Sequence, residues 1–337
     1  MNISIIGCGL IGRKRALALQ DQDTLVSCCD DNKETLSNFA TKFGCESYEN
    51  YKDLIDKNNT DIVVVAVVNK FAYQIITYAL KKGIHVLAEK PLGRNVREAQ
   101  KMVELANENN VLLKTGFNHR FHPAIFQAKE IFNSGASGEL MFIRARYGHG
   151  GRPGMETEWR ASKDLCGGGE LLDQGVHIID LCNWFAGNMK SVYGKVITKF
   201  WDMEVEDNAF VLMKSCKGVD IQFHVSWTNW KNIFSFELFG EDGYLRIEGL
   251  GGSYGDETLE YGLRNKKGGK PDIKLFKYSP QDLSWEAEWK EFSSAIKEKR
   301  LPIGSGLDGL YANRVIEAIY RSSESDLPIT IPALEAQ

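Results

Sequence analysis

Several features are scarce in this chain, and each scarcity excludes a class of protein. Only 8 of the 337 residues are proline and no low-complexity tract occurs, so a disordered chain with proline-rich linkers is not expected. The longest apolar run, 62–68, is far shorter than the roughly 20 residues of a membrane-spanning helix. Lysine and arginine number 41 against 45 acidic residues, which leaves no basic excess for binding nucleic acid.

The cysteines and the N-terminus give no sign of secretion. Seven cysteines are an odd number and none is spaced Cys-x-x-Cys, so neither a disulfide framework nor a metal site is expected. The chain begins with a strand-like run, and no charged segment followed by a long apolar stretch precedes it, which predicts no signal peptide. We therefore expect a reduced, cytoplasmic protein without a membrane partner.

Hydrophobic spacing predicts about two domains, as the length also suggests at roughly 150 residues per domain. Before residue 118, apolar runs at 2–6, 25–29, 62–68, 84–88 and 111–115 alternate with segments of helical periodicity, including 33–43 and 95–107. Strands that are apolar on both faces, between amphipathic helices, indicate a doubly wound α/β domain with a parallel sheet, here 1–118.

Closely spaced strand-like segments predict a mostly antiparallel sheet in an α+β domain, 119–337. Its predicted strands are 192–201, 208–216, 218–227, 233–239 and 243–248, with further candidates at 257–262 and 273–277. Its predicted helices are 123–132, 171–186, 284–298 and 307–322. The segment 250–271 is rich in glycine and charge and is expected to be an exposed loop or hairpin.

A glycine-rich run follows the first predicted strand and begins a helix, which is the context of a dinucleotide-binding loop. Gly7 permits a tight turn, Gly9 lets the backbone approach a pyrophosphate, and Gly12 allows close helix packing. Asp30 ends the second strand, where an acid binds ribose hydroxyls and repels a 2′-phosphate, so NAD is favoured over NADP. The predicted contacts are Gly7, Gly9, Leu10, Ile11, Gly12 and Asp30. The alternative is a glycine turn without a ligand, and Arg13-Lys14-Arg15 either assists the phosphates or forms a solvated helix face.

Two further motifs carry candidate proton-transfer chemistry. Lys90, in Glu89-Lys90-Pro91, follows strand 84–88 at the edge of the sheet where ligands bind. Asp173 and His177 are four residues apart, so on a helix they share one face, and Asp180 is three further on. The alternatives are a surface lysine, a capping aspartate and a structural histidine.

Together these motifs resemble the glucose–fructose oxidoreductase/inositol dehydrogenase (Gfo/Idh/MocA) family across nearly the whole chain. The resemblance also rests on the run 116–123, on Trp159-Arg160 and on the Gly-Gly-Gly-x-x-x-Asp-x-Gly-x-His-x-x-Asp pattern at 167–180. It implies an N-terminal Rossmann domain and a C-terminal domain with a large open sheet that forms a homodimer or homotetramer. It also implies NAD(P)-dependent hydride transfer at a secondary alcohol or ketone of a sugar, nucleotide sugar or cyclitol.

The resemblance implies roles for particular residues. Lys90, Asp173 and His177 take the catalytic positions, with His177 as acid/base and all three touching the substrate. On the cofactor side, Thr-Pro-Asn-x-x-His of the family is replaced by Val67-Val68-Asn69-Lys70-Phe71-Ala72, which keeps only the asparagine. Further cofactor contacts are expected from Val67, Asn69, Glu89, Lys90 and Asn118. Further substrate contacts are expected from Arg120, Tyr147, Trp159 and Arg160. Arg160 either grips a carboxylate or phosphate bidentately or forms a structural ion pair, and Tyr147 and Trp159 either stack on a sugar ring or belong to the core or an interface.

Three other functions remain as alternatives. The first is a redox-neutral reaction, glycoside cleavage or epimerisation, in which the enzyme holds NAD tightly. Formation of NADH during turnover would distinguish a dehydrogenase from such an enzyme. A non-catalytic NAD sensor would not need Lys90, Asp173 and His177. A purely structural oligomer would leave the glycine loop unexplained.

Overall fold

The computed structural model describes residues 1–57 and 59–332 and divides them into two compact units. Unit 1 comprises Met1–Phe117, Asp164–Gly167 and Trp285–Asn313, and unit 2 comprises Asn118–Lys163, Gly168–Ser284 and the described residues from Arg314 onward. The chain leaves unit 1 where the sequence pattern changes, but it returns twice. The predicted boundary after residue 118 does not account for these two later segments of unit 1. The division into domains 1–118 and 119–337 stays a prediction.

The secondary structure alternates strands and helices first and then groups the strands. The strands are β1 Asn2–Ile6, β2 Thr24–Cys29, β3 Glu46–Tyr48, β4 Ile62–Val65, β5 His85–Ala88, β6 Leu113–Thr115, β7 Leu140–Gly148, β8 Met189–Ile197, β9 Asn208–Ser215, β10 Asp220–Ser226, β11 Ile233–Gly240, β12 Gly243–Glu248, β13 Thr258–Leu263, β14 Asp272–Lys277 and β15 Ile329–Thr330. The helices are α1 Leu10–Leu17, α2 Lys33–Phe43, α3 Tyr51–Lys57, α4 Asn69–Lys81, α5 Val96–Glu108, α6 Pro123–Asn133, α7 Lys163–Cys166, α8 Val176–Ala186, α9 Ser284–Glu298 and α10 Gly306–Ser325.

Unit 1 is built on a parallel sheet of six strands in the order β3-β2-β1-β4-β5-β6. The direction of winding reverses between β1 and β4, and ligands bind doubly wound sheets beside the carboxyl ends of the strands at this reversal. The fold class predicted for the first part of the chain is therefore confirmed.

Alternate residues of the strands face two separate apolar clusters. Val63 packs in a cluster with Ile76 of α4, whereas Val64 packs in a second cluster with Trp289 and Phe292 of α9. Helices therefore cover both faces of the sheet, as the continuous apolar strands predict. The packing of α9 on one face explains why residues 285–313 belong to unit 1.

Unit 2 contains a nine-stranded sheet in the order β14-β13-β12-β11-β7-β10-β9-β8-β15. Its pairs are antiparallel except for β7 and β10, which run parallel near the middle. The predicted mostly antiparallel sheet is confirmed, and the chain positions α8 against β7 on one of its faces.

Of the elements that differ from the sequence prediction, three carry or adjoin candidate site residues. The central strand β7 was not predicted, because Arg144 and Arg146 alternate with buried residues and interrupt its apolar run. The predicted strand 62–68 ends at Val65, since Val68 is already the residue before α4. The predicted helix 171–186 begins with a π-helical turn, Leu171–Gly175, and only then continues as α8.

Two structural features relate to the expected reducing compartment and the expected lack of a membrane partner: the state of the cysteines and the hydrophobicity of the helices. All seven cysteines are free thiols, and five are buried. Burial raises the pKa of the Cys29 thiol to about 12, so it stays protonated as an apolar core residue. Among the described residues, no helix is both long enough and apolar enough to span a bilayer.

Candidate active site

The glycine loop after β1 leaves open space where a ligand can approach. Gly7 has a left-handed φ of +98°, and a Cβ on Gly12 would lie 1.9 Å from the carbonyl oxygen of Gly7. In contrast, apart from its two chain neighbours no residue has an atom within 4 Å of a Cβ placed on Gly9, and Gly9 is the N-cap of α1 with no side chain to cap it. An uncapped helix N-terminus facing open space suits a pyrophosphate.

Asp30 is held beside this loop by two backbone groups. Its Oδ2 accepts the N–H of Cys8 at 2.7 Å, and its Oδ1 accepts the N–H of Asn32 at 2.9 Å. These bonds turn the carboxylate toward the glycine loop, where an adenosine ribose would lie. The open space at Gly9 and the oriented carboxylate of Asp30 therefore fit an NAD molecule.

Other predicted cofactor residues follow the neighbouring strands of the same sheet. Val67 follows β4, and the partly buried Lys90 follows β5 and forms a cis peptide bond with Pro91. The side chain of Asn69 donates from Nδ2 to the carbonyl oxygen of Cys166 at 2.8 Å. That bond anchors the start of α4, so Asn69 has a structural partner, and its contact with the cofactor stays a prediction.

Glu89, also predicted to contact the cofactor, forms an ion pair with Arg15 at 2.5 Å. Arg15 is 1% exposed and pairs equally closely with Glu288 of α9. Burial lowers the pKa of Arg15, but the two carboxylates outweigh it and leave that pKa above its usual value. Of the two alternatives for Arg13-Lys14-Arg15, the solvated helix face is wrong for Arg15, because its side chain turns into this buried network.

In unit 2, the glycine run before the Asp173–His177 motif provides close backbone contact. A Cβ on Gly169 would lie 2.0 Å from the carbonyl oxygen of Glu206. Residues Leu171–Gly175 form the π-helical turn, a local geometry that is frequent at functional sites. This turn carries Asp173, and His177 follows in the first turn of α8.

His177 lies in a buried aromatic group. Its imidazole stacks on that of His119, with ring centroids 3.6 Å apart and planes 17° apart. His119 Nε2 is 3.1 Å from the hydroxyl of Tyr147, whose ring centroid is 6.5 Å from that of His177. Two of the predicted residues, Tyr147 and His177, are thus brought together around His119.

Asp173 is joined to two other predicted residues. Its Oδ2 is 3.5 Å from Nε of Arg160, and the Arg160 guanidinium lies 4.4 Å from the centroid of the Trp159 ring. Asp173 is 23% exposed and Arg160 34%, so both side chains remain reachable from solvent. The arrangement offers a carboxylate and a planar cation side by side, beside an aromatic ring.

Arg120 lies in different surroundings from the other candidate substrate residues. It is buried, and its guanidinium forms a bidentate pair with Asp180 at 2.6 and 2.8 Å. Asp180, expected near His177, is therefore engaged by Arg120 and fixes the turn 118–121 against α8. Asn118 is also buried and donates to Ser284 at 2.9 Å. Contacts of Arg120 with substrate and of Asn118 with cofactor stay predictions.

A cavity of about 410 Å³ lies next to the turn that carries Arg160. It is lined by Glu156, Thr157, Glu158, Ala161, Ser162, Asp202, Met203 and Glu204. Of its four carboxylates, that of Glu158 is paired with Arg152 at 2.6 Å. The lining is rich in hydrogen-bond acceptors and negative charge, which disfavours an anionic ligand there.

Sequence reasoning missed several polar residues of this region. His119 lies within the motif 116–123 but was not recognised separately, and its partners His177 and Tyr147 come from distant parts of the chain. Tyr254, from the segment expected to be a loop, accepts a hydrogen bond from Gln174 at 2.8 Å. Its ring centroid is 5.0 Å from that of Tyr147. In the sequence, the only indication of a role for Tyr254 was an aromatic residue within a glycine-rich segment.

The fold and these residues define a dinucleotide-binding protein with a second unit that carries titratable side chains. Comparison with family models agrees for both parts of the chain. Residues 1–117 match the model for the oxidoreductase family with an NAD-binding Rossmann fold, and residues 125–246 match the GFO/IDH/MocA C-terminal domain. The chain therefore belongs to the Gfo/Idh/MocA family of oxidoreductases, as its motifs predict, and NAD is the cofactor of its first unit.

Individual relatives are similar at lower levels of identity. D-glucoside 3-dehydrogenase of Escherichia coli K12 is 25% identical, with 96% of each chain covered. Levoglucosan dehydrogenase of Pseudarthrobacter phenanthrenivorans is 27% identical over 57% of this chain, and the match spans only 53% of that relative. A solved structure of levoglucosan dehydrogenase in complex with NADH is 21% identical, with a TM-score of 0.91 over 99% of this chain and 100% of the other. That structure supports the fold.

Proposed function

We propose that this protein is an NAD-dependent oxidoreductase that interconverts a secondary alcohol and a ketone on a sugar or cyclitol. The observation that carries the proposal is the set of polar groups around Asp173 and His177, in a chain whose other unit has the NAD-binding loop. A protein that only senses NAD has no need for a buried histidine four residues after an aspartate that is paired with a guanidinium. The named relatives, levoglucosan dehydrogenase and D-glucoside 3-dehydrogenase, support the same reaction class.

The proposed roles on the cofactor side follow from the loop and its neighbours. The N-terminus of α1 would hold the pyrophosphate, Asp30 the adenosine ribose, and Lys90 with Asn69 the nicotinamide end. When bound, NAD accepts or supplies the hydride. The carboxylate of Asp30 would exclude a 2′-phosphate, so NAD is the preferred form.

The proposed roles on the substrate side concern a proton and a developing charge. His177 takes the hydroxyl proton during oxidation and returns it during reduction, because an imidazole exchanges protons near neutral pH. Lys90 stabilises the developing alkoxide by its positive charge. Asp173 accepts a hydrogen bond from a neighbouring substrate hydroxyl, and its contact with Arg160 holds the carboxylate in place.

The proposed substrate is neutral rather than anionic. Arg160, the cation that a phosphate or carboxylate would need, is already near Asp173 at 3.5 Å and Glu158 at 4.0 Å. The adjoining cavity presents further carboxylates that accept hydrogen bonds from sugar hydroxyls. We therefore rank neutral sugars, glycosides and cyclitols ahead of nucleotide sugars.

A panel of neutral sugars, glycosides, inositols and nucleotide sugars, assayed with NAD and NADP at 340 nm, tests this function. We expect NADH to form in proportion to a neutral substrate consumed. Substrate turnover without net NADH would instead indicate the redox-neutral reaction. Binding of NAD with no turnover on any substrate would favour a sensor and contradict the proposal.

A variant pair tests the role of His177. His177→Ala should lower turnover by about 100-fold or more, the usual contribution of a general base, while NAD binding stays nearly unchanged. The control is His85→Asn at the start of β5, whose ring accepts the N–H of Leu112 and has no assigned role in catalysis. Unchanged turnover in His177→Ala would remove the histidine from the mechanism.

We also propose a homodimer or homotetramer formed through the nine-stranded sheet, in a cytoplasmic protein. Phe210 and Leu212 of β9 support the interface, since they are 49% and 55% exposed on the same side of the strand. The free cysteines support a reducing compartment. Light scattering of Leu212→Glu should report dissociation relative to the wild type, and an unchanged mass would contradict this interface.

A further inference from the structure

The ring on which His177 stacks is held by an ordered series of hydrogen bonds. The series begins at Asp282, whose Oδ1 accepts the hydroxyl of Ser284 at 2.5 Å. A carboxylate only accepts, so the hydroxyl hydrogen of Ser284 is committed to it. The Ser284 oxygen is then the acceptor for Nδ2 of Asn118, at 2.9 Å.

The same reasoning assigns the hydrogen on His119. With Nδ2 of Asn118 donating to Ser284, the amide oxygen Oδ1 faces His119 Nδ1 at 3.2 Å. An amide oxygen only accepts, so His119 Nδ1 must carry a hydrogen. His119 Nε2 is 3.1 Å from the hydroxyl of Tyr147, which completes the series.

The last bond decides the charge of the ring. Burial raises the pKa of Tyr147 well above its ordinary value of 10, so its phenol keeps its hydrogen. The Tyr147 hydroxyl also bonds with that of Tyr254, which accepts from Gln174 and so can direct its own hydrogen to the Tyr147 oxygen, leaving the Tyr147 hydrogen for His119. The Nε2 of His119 then accepts that hydrogen and carries none of its own. A second proton on His119 would displace the Tyr147 donor and put a cation 3.6 Å from the ring of His177.

We infer that His119 is a positioning residue: the series from Asp282 to Tyr147 holds it as the neutral Nδ1–H tautomer, and its ring fixes the plane of His177. The stack at 3.6 Å with planes 17° apart is the contact through which it acts. Its effect on turnover rests on the proposed function of His177, whereas its tautomer does not.

Long-range ¹H–¹⁵N spectra of histidine-labelled, NAD-loaded protein test the tautomer directly. We expect one ring with a protonated Nδ1 and a bare Nε2 at neutral pH, identified as His119 by its loss in His119→Phe. In Tyr147→Phe the Nε2 resonance should shift, because its donor is removed. A protonated Nε2 on His119, or a ring that averages both tautomers, would overturn the inference whatever the enzyme does.

Kinetics test the positioning role with a conservative rescue. His119→Ala removes the stack and should lower kcat by about 10- to 100-fold, the scale expected of a misplaced reacting group, with KM changed little. His119→Phe keeps a flat ring and should recover most of kcat. Thermal unfolding of both variants shows whether a loss of kcat comes from misfolding or from a misplaced His177 ring. The control variant is His85→Asn.

Two kinetic outcomes would contradict the role. If folded His119→Ala keeps the wild-type kcat, the stack does not position His177. If folded His119→Phe is as impaired as the alanine variant, a flat ring is not sufficient and stacking is not the means. If no substrate is turned over by the wild type, the proposed function fails, and the spectra still decide the tautomer.

Discussion

Nε of Arg15 donates to Oε1 of Glu89 at 2.6 Å, which joins the helix of the glycine loop to the segment that precedes Lys90. Nη1 of the same guanidinium donates to Glu288 at 2.5 Å. Glu288 is fully buried and also lies 3.5 Å from Lys114. Three segments that are far apart in sequence are thus connected through one buried cation.

Arg15→Ala should destabilise unit 1 strongly. It leaves Glu288 and Glu89 without their guanidinium, and removing one partner of a buried ion pair costs about 3–5 kcal/mol. Arg13→Ala is the matched control, because Arg13 lies on the same helix but is exposed, and its expected effect is within about 0.5 kcal/mol. The urea midpoint of unfolding measures both, and equal midpoints would show that the buried pair contributes nothing.

The two sheets could be predicted from the sequence because their strands have simple periodicities. Continuous apolar runs indicated the parallel sheet, and closely spaced alternating runs indicated the antiparallel one. β7 was missed because its outward-facing positions hold Arg144 and Arg146, and Arg144 is paired with Glu237 on the neighbouring strand at 2.9 Å. The partner that makes such a charge tolerable is invisible until the strands are paired.

The candidate site was predictable only where a motif is local. The glycine loop, Lys90 and the Asp173–His177 spacing lie within short segments, so their chemistry can be inferred from the sequence. The stack of His119 on His177 joins residues 58 positions apart, and Arg15 meets Glu288 from 273 positions away. No spacing rule connects such pairs, since only the folded core brings them together.

Asp207 should make stability depend on acid pH. Burial disfavours its charge, but hydrogen bonds from Asn208 and from the backbone N–H groups of residues 199–201 outweigh it and hold its pKa below the ordinary 3.8. The stabilisation is therefore complete above about pH 4 and is lost as the pH falls through the lower folded-state pKa.

Asp207→Asn should lower the free energy of unfolding at pH 6 by about 1.5–3 kcal/mol, because it removes hydrogen bonds to a charged group. It should also flatten the fall in stability below pH 4. The control is Asp202→Asn in the same loop, where the carboxylate is exposed. Urea unfolding at several pH values measures both, and parallel curves for wild type and Asp207→Asn would contradict the assignment.

Asp30 should determine the choice between NAD and NADP. Its carboxylate is held by Cys8 and Asn32, so Asp30→Ser removes the negative charge and keeps a small hydrogen-bonding group. Affinity for NAD should fall about tenfold, the scale of a lost hydrogen bond to a charged group. The ratio of NADP affinity to NAD affinity should rise, because no carboxylate then repels the 2′-phosphate. Titration with each nucleotide measures this, Asp31→Ser is the neighbouring control, and an unchanged NAD/NADP ratio would exclude Asp30 from the ribose site.

Arg160 should matter through Asp173 rather than as an anion-binding group. Arg160→Leu removes the cation 3.5 Å from the Asp173 carboxylate and so weakens one contact that orients it, and kcat/KM for a neutral substrate should fall about threefold, as for a partly exposed ion pair. Arg152→Leu is the matched control on the same loop, because Arg152 pairs with Glu158 at 2.6 Å and not with Asp173. If Arg160→Leu instead abolishes activity on a nucleotide sugar and spares neutral sugars, Arg160 binds the phosphate groups and the proposed preference for neutral substrates is wrong.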